Sequence, residues 1–124
     1  MKTNDEEQLV ARRRELVVAM EEITAAGKDL ADLVDHLELV LRDAVGRIER
    51  GARALDVAQS MGLADRRESV NAAADRVRQG RHALQLAMFL VALDEGESRA
   101  EIARVWRVSR QLISRMIREG PDNG

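Results

Sequence analysis

"SRAEIARVWRVSRQLISRMI", residues 98–117, decides how this chain reads. Ser98 stands three residues before Glu101, the spacing of a capping box, so a helix is expected to begin there. Ile102, Ala103, Val105 and Trp106 supply the apolar face of that helix. Ser109 then offers a second N-cap, for a helix whose inner face is Leu112, Ile113, Met116 and Ile117. Only Arg107 and Val108 separate Trp106 from Ser109. The pattern is therefore two short helices joined by a tight turn, with the small Ala103 where the second must approach closely. Six arginines, from Arg99 to Arg118, surround it.

Such a pair has the pattern of a helix-turn-helix, a motif that in its DNA-binding form places the second helix in the major groove. The stretch resembles the bacterial helix-turn-helix superfamily, in the variety seen in recombinase and sigma-factor-like DNA-binding domains. There the pattern runs roughly s-x-x-E-I-A-x-x-x-x-V-S-x-x-x-I-x-x-x-I, and Ala103, Val108, Ser109 and the Ile113/Met116 pair fall at the corresponding offsets. The likeness extends upstream if residues 78–95 form the preceding support helix. The turn usually carries glycine where this chain has Arg107, so a left-handed backbone at a non-glycine residue is expected there. The core of the pair is then Ile102, Ala103, Trp106, Val108, Ile113 and Met116, with Trp106 as hydrophobic anchor. Arg110, Gln111, Ser114 and Arg115 point outward from the second helix and are the candidates for reading base edges. Arginine matches guanine N7 and O6, and glutamine matches adenine N6 and N7. Ser98 and Ser109, at helix N-termini, join Arg99, Arg107 and Arg118 as candidates for phosphate contact. A merely solvated arginine face is the bland alternative, and it gives no reason for the turn spacing and Ala103 to coincide.

Upstream, "RHALQLAMFLVALDE" (81–95) is apolar nearly all round, the mark of a helix buried on more than one side, with Phe89 in the core. Its helical period runs from Val70 through Ala74, Val77, Leu84, Met88 and Val91 to a stop at Gly96. The segment opens near "SMGLADRRES", where Gly62 ends one pattern and Asp65 can cap the next.

The N-terminal part, 1–64, reads as helices with a seam. In "TNDEEQ", Thr3 or Asn4 can cap a helix whose first turn is acidic. From Leu9 a seven-residue alternation visits Leu16, Met20, Ile23, Leu30, Val34, Leu37, Leu41 and Ile48, with Ala44, Leu55 and Ala58 in phase. It misses at Arg13, Gly27 and Gly51. A repeat this long means helices packed along a narrow stripe, as a coiled coil between chains or a long hairpin within one. Gly27 followed by Lys28 and Asp29 reads as a C-cap and a new N-cap, whereas the unbroken phase favours one rod; a break at Gly27 is the expectation.

Composition bounds the rest. The 124 residues include no cysteine, so disulfides, thiolate metal sites and a Cys nucleophile are out of reach. The start, "MKTNDEEQLV", is not a secretory signal, and no apolar run approaches the roughly 18 residues of a membrane span. A cytoplasmic, nucleoid-associated protein is expected. The only aromatic residues are Phe89 and Trp106, and the single proline is Pro121, which favours an all-α fold. Net charge is −2, yet residues 96–119 carry six arginines against three glutamates, so positive charge gathers at the C-terminal end. Asp32, Asp35 and His36 stand close on one helix, but a solvated polar face beside Leu33 and Leu37 accounts for them, and no metal site is expected. His82 stands alone. Met20, Met61, Met88 and Met116 read as core filler. No phosphate loop or catalytic set is visible, so neither an enzyme nor a cofactor is expected.

The expected organisation is a helical oligomerisation region (1–64), a support helix with the helix-turn-helix (65–120) and a disordered tail (121–124). The expected function is a dimeric, sequence-specific regulator of transcription that binds double-stranded DNA, acting as a repressor by occupancy. The alternatives are an architectural, partition or packaging DNA-binding protein of higher oligomeric state, or a coiled-coil adaptor that uses the pair for protein contact. The acidic N-terminal half leaves room for a further protein partner that the residues do not name.

Overall fold

Alanine, leucine, arginine and glutamate are abundant and proline is absent before position 121, so little opposes helix except the glycines. The computed structural model, which describes residues 2–120, is accordingly all-α, with no strand among the described residues. The helices are α1 (Lys2–Glu49), α2 (Ala54–Met61), α3 (Leu63–Asp94), α4 (Arg99–Trp106) and α5 (Arg110–Glu119). The expected tail at 121–124 lies outside the described residues.

Which glycines stop a helix depends on whether the backbone turns left-handed. The break expected at Gly27 does not occur: α1 is a single helix of 48 residues. Gly27 keeps a negative φ directly after the helix-forming Ala25 and Ala26, at a cost of about 1 kcal/mol against alanine. The stop comes at Gly51 instead, with φ 92°. There the Ala52 N–H donates to the Arg47 carbonyl at 2.9 Å and the Gly51 N–H to that of Ile48 at 3.0 Å, the paired bonds of a Schellman motif. Gly96 closes α3 the same way, through Glu97 N–H to the Ala92 carbonyl and Gly96 N–H to that of Leu93, both 3.0 Å. Gly62, at φ 62°, ends α2 as expected, but α3 begins at once with Leu63, so Asp65 lies in its first turn instead of capping it. Likewise Thr3 and Asn4 lie inside α1, which starts at Lys2.

The chain divides into two compact units, Met1–Thr24 with Arg78–Gly124, and Ala25–Val77. In the first, the start of α1 runs antiparallel to the end of α3. Gln8 and Arg12 reach Asp94, the latter at 3.3 Å through Nε, and Arg13 pairs with Glu95. Further along, a Cβ added at Gly80 would sit 3.3 Å from the Ile23 Cβ, which shows how near the two backbones pass. The core of this unit joins Leu86 and Phe89 of α3 to Ile102 and Ala103 of α4 and Ile113 and Met116 of α5. Phe89 and Ile113 are fully buried, each contributing on the order of 2–3 kcal/mol by area. In the second unit, Ala44 of α1 packs with Val57 and Met61 of α2, and Arg76 of α3 pairs with Asp29 at 3.0 Å.

The covered side of α1 follows a seven-residue repeat, but only half of it is the expected one. Leu9, Leu16 and Ile23 are partly buried in the first unit, and Leu30 and Leu37 in the second. Their partners in the repeat are Ala19 and Ala26, both buried, with Leu33 and Val40 further on. Met20, Val34, Leu41 and Ile48 are instead 40–49% exposed, so Met20 is not core filler. At Met20 the physical reason is helix approach: Ala19 on the seam admits a close neighbour and leaves the larger side chain one position on outside, whereas beside Val34 and Leu41 it is Leu33 and Val40 that take the covered position.

Candidate nucleic-acid interface

Both serine caps form. Ser98 Oγ accepts from the Glu101 N–H at 3.1 Å and Ser109 Oγ from the Leu112 N–H at 3.0 Å. These bonds satisfy backbone donors at the starts of α4 and α5 and fix where each helix begins. Between them, Arg107 takes φ 56° and ψ 45°, the single non-glycine residue with positive φ among the described residues. The Val108 N–H donates back to the Ala103 carbonyl at 3.1 Å and tightens the turn.

Packing then sets which side of α5 is left outside. Ile113 and Met116 are buried against α3 and α4, and Leu112 and Ile117 are packed beside them. Trp106 anchors α4 through an edge-to-face contact with Phe89, with ring centroids 5.4 Å apart and planes at 84°. Val108 also packs on this core. Val105, expected on the apolar face, points outward instead and is 62% exposed. Its position one residue before Trp106 puts it some 100° around the helix from the anchor.

The outward side of α5 carries Arg110, Gln111, Ser114, Arg115 and Arg118, at offsets that place all five on one helix face. With Ser109 and Leu112 they line a shallow, open depression. Arg110, Gln111, Arg115 and Arg118 are exposed, whereas Ser114 is half-buried and its Oγ accepts from Arg99 Nη1 at 3.2 Å. The structure thus gathers the four candidate base-reading residues with Ser109 and Arg118, and ties Arg99 of α4 to the same face. Ser98 and Arg107 lie outside the depression, at the start of α4 and in the turn.

The charges are unevenly engaged. Arg104 forms a two-bond pair with Glu101 on the exposed side of α4, through Nε at 3.1 Å and Nη2 at 2.5 Å. The hydrogen bond from Arg104 holds the Glu101 carboxyl below its usual range, and the same contact raises Arg104. Arg104 is thereby occupied, while the bond that Arg99 makes among the described residues is to a neutral hydroxyl, which leaves its charge uncompensated by that contact. The cluster is consequently weighted toward positive charge on α5 and the turn.

Two features escaped the residue pattern. The clasp of Arg12 and Arg13 on Asp94 and Glu95 joins residues more than 80 apart in sequence, so no local spacing announces it. The bond from Arg99 to Ser114 crosses between two helices whose docking no linear motif specifies. Among the described residues, no group of three or more His, Cys, Asp or Glu side chains is placed to hold a metal ion, and no helix is long and apolar enough to cross a membrane. No family model, no curated protein and no solved structure matches the chain.

Proposed function

We propose that this chain is a sequence-specific double-stranded DNA-binding regulator of transcription, a repressor by occupancy, in which α4 and α5 act as a helix-turn-helix. The supporting observation is the division of α5 into two faces. One is locked into the core by Ile113 and Met116, and the other presents Arg110, Gln111, Ser114, Arg115 and Arg118 together. A helix held rigidly from behind, with arginine and glutamine side chains in front, suits base-edge recognition in a major groove. Arg99, Arg107 and the two capped N-termini suit phosphate. The protein then acts as a binder, without cofactor or catalysis. As a dimer it would address two half-sites about one helical turn, or a multiple of it, apart.

The test is selection of bound sequences from a random duplex pool, with anisotropy at two salt concentrations, for the native chain and an Arg110→Ala/Arg115→Ala variant. A recovered motif that the variant loses supports the regulator. Equal binding by both proteins, with a steep salt slope and no motif, replaces it with an architectural role. Absence of binding at low salt refutes DNA binding and leaves the pair as a protein-contact module.

A further inference from the structure

The second unit carries an apolar surface that its own chain leaves uncovered. Between the end of α1 and α2 lies an open groove walled by Leu41, Val45 and Ile48 on one side and Ala54 and Ala58 on the other, with Val57 and Met61 beneath. Beside it, one residue along α2 from Ala54, Leu55 projects into solvent with 84% of its surface exposed. We propose that this groove is the seat of a second copy of the same chain, with Leu55 of each protomer filling the groove of the other about a two-fold axis. The inference rests on the reading of the protein as a dimeric DNA-binding regulator and assigns that dimer its interface.

Three observations select this occupant. First, the surface holds both a protruding side chain and a recess of matching apolar character, and a two-fold contact requires the same patch to supply both. Second, the charges in this part of the chain balance: Glu49 lines the groove, and Arg50, Arg53 and Asp56, next to its lining residues in sequence, are exposed, two acidic and two basic in all. A copy of this chain can match such a balance, whereas a strongly acidic or strongly basic partner would leave like charges opposed. Third, the area suffices. From their fractional exposures, Leu41, Val45, Ile48 and Leu55 offer roughly 400 Å² of apolar surface, within the size that marks an interaction site. Two copies, in an interface about 65% apolar, imply a total of about 1,200 Å², at the lower edge of the range of specific dimers. Leu41 and Ile48 also continue, at seven-residue spacing, the exposed row that includes Val34, so the contact has room to extend along α1.

The experiment compares the native chain with Leu55→Asp and Leu39→Asp by light scattering across a dilution series, with helicity followed by circular dichroism. Leu39 is 62% exposed, and two residues from Leu41 it faces about 200° away around α1, so it controls for surface charge alone. The expected result is a mass near twice 13.8 kDa for the native chain and for Leu39→Asp. Leu55→Asp should dissociate about 100-fold more readily at unchanged helicity, as expected for a central apolar anchor lost on both sides. A native chain that stays monomeric at tens of micromolar overturns the proposal, as does a Leu55→Asp variant that remains dimeric. Duplex anisotropy at low salt on the same samples keeps the two readings apart. A Leu55-dependent dimer that binds no duplex supports this interface and sinks the regulator, while a monomer that binds duplex overturns the interface alone.

Discussion

Replacing Arg107 with glycine should raise the stability of the fold and lower its affinity for DNA at the same time. At φ 56° an L-residue has its Cβ close to the following carbonyl, which costs roughly 1–2 kcal/mol relative to glycine. Glycine returns part of that through its larger unfolded-state entropy, about 0.4–1 kcal/mol, leaving a net gain of roughly 0.5–1 kcal/mol. For a chain of this length the gain corresponds to a rise in Tm of about 2–4 °C. On the proposed DNA-binding reading, in which Arg107 meets phosphate, the slope of log Kd against log salt should shrink by about 0.9. Arg107→Ala completes the comparison, because it keeps the unfavourable backbone while losing the charge: the same change in slope, with no gain in Tm. The assays are thermal unfolding by circular dichroism and duplex anisotropy from 50 to 200 mM salt. If Arg107→Gly lowers Tm, the left-handed turn is not a strained one. If it raises Tm and leaves the salt slope intact, Arg107 does not touch phosphate.

Gly27→Ala should stabilise the protein by about 0.5–1 kcal/mol, since the added Cβ meets nothing within 4 Å, whereas Gly51→Ala, at φ 92°, should destabilise it; urea titrations of the two variants check the opposite signs. Ile113→Ala empties a fully buried position where α3, α4 and α5 meet and should cost about 2–5 kcal/mol, read as a lower urea midpoint together with loss of duplex binding. The Glu101 carboxyl is held below its ordinary value of 4.5 by Arg104, so the stabilisation from their contact is present above that pH and is lost as the pH falls through the folded-state value. Glu101→Gln should therefore flatten the acid limb of the stability curve slightly and leave the neutral region nearly unchanged, because the pair is solvent-exposed.

The short-range features of the C-terminal pair were legible because each depends on a few neighbouring residues. Ser98 and Ser109 cap where their spacing places them, and Arg107 takes the left-handed geometry that a three-residue connection demands. The burial of Ile113 and Met116 follows from the same periodicity. The N-terminal helix was harder to read. Gly27 and Gly51 look alike to a local rule, and what separates them is whether the following residues close a Schellman motif, as Ala52 does through its bond to Arg47. The covered stripe of α1 was half legible. Leu9, Leu16, Ile23, Leu30 and Leu37 belong to both possible repeats, and hydrophobicity ranks Met20 above Ala19, while packing prefers the smaller side chain. On α4, Val105 differs from Trp106 by a single position, too fine a distinction for an apolar pattern in a helix of eight residues.

The alanine seam inverts the ordinary map of mutational tolerance along α1. The bulky residues Met20 and Val34 can give way to polar ones with little effect on the fold of a single chain, because they lie outside its packing. Ala19 and Ala26 cannot enlarge without forcing a neighbouring helix away, and Gly80 meets Ile23 under the same constraint. Sequence drift along α1 should therefore be slowest at its smallest side chains. Any restriction at the large ones would report selection on association, a pressure separable from that on folding by the position within the repeat at which it falls.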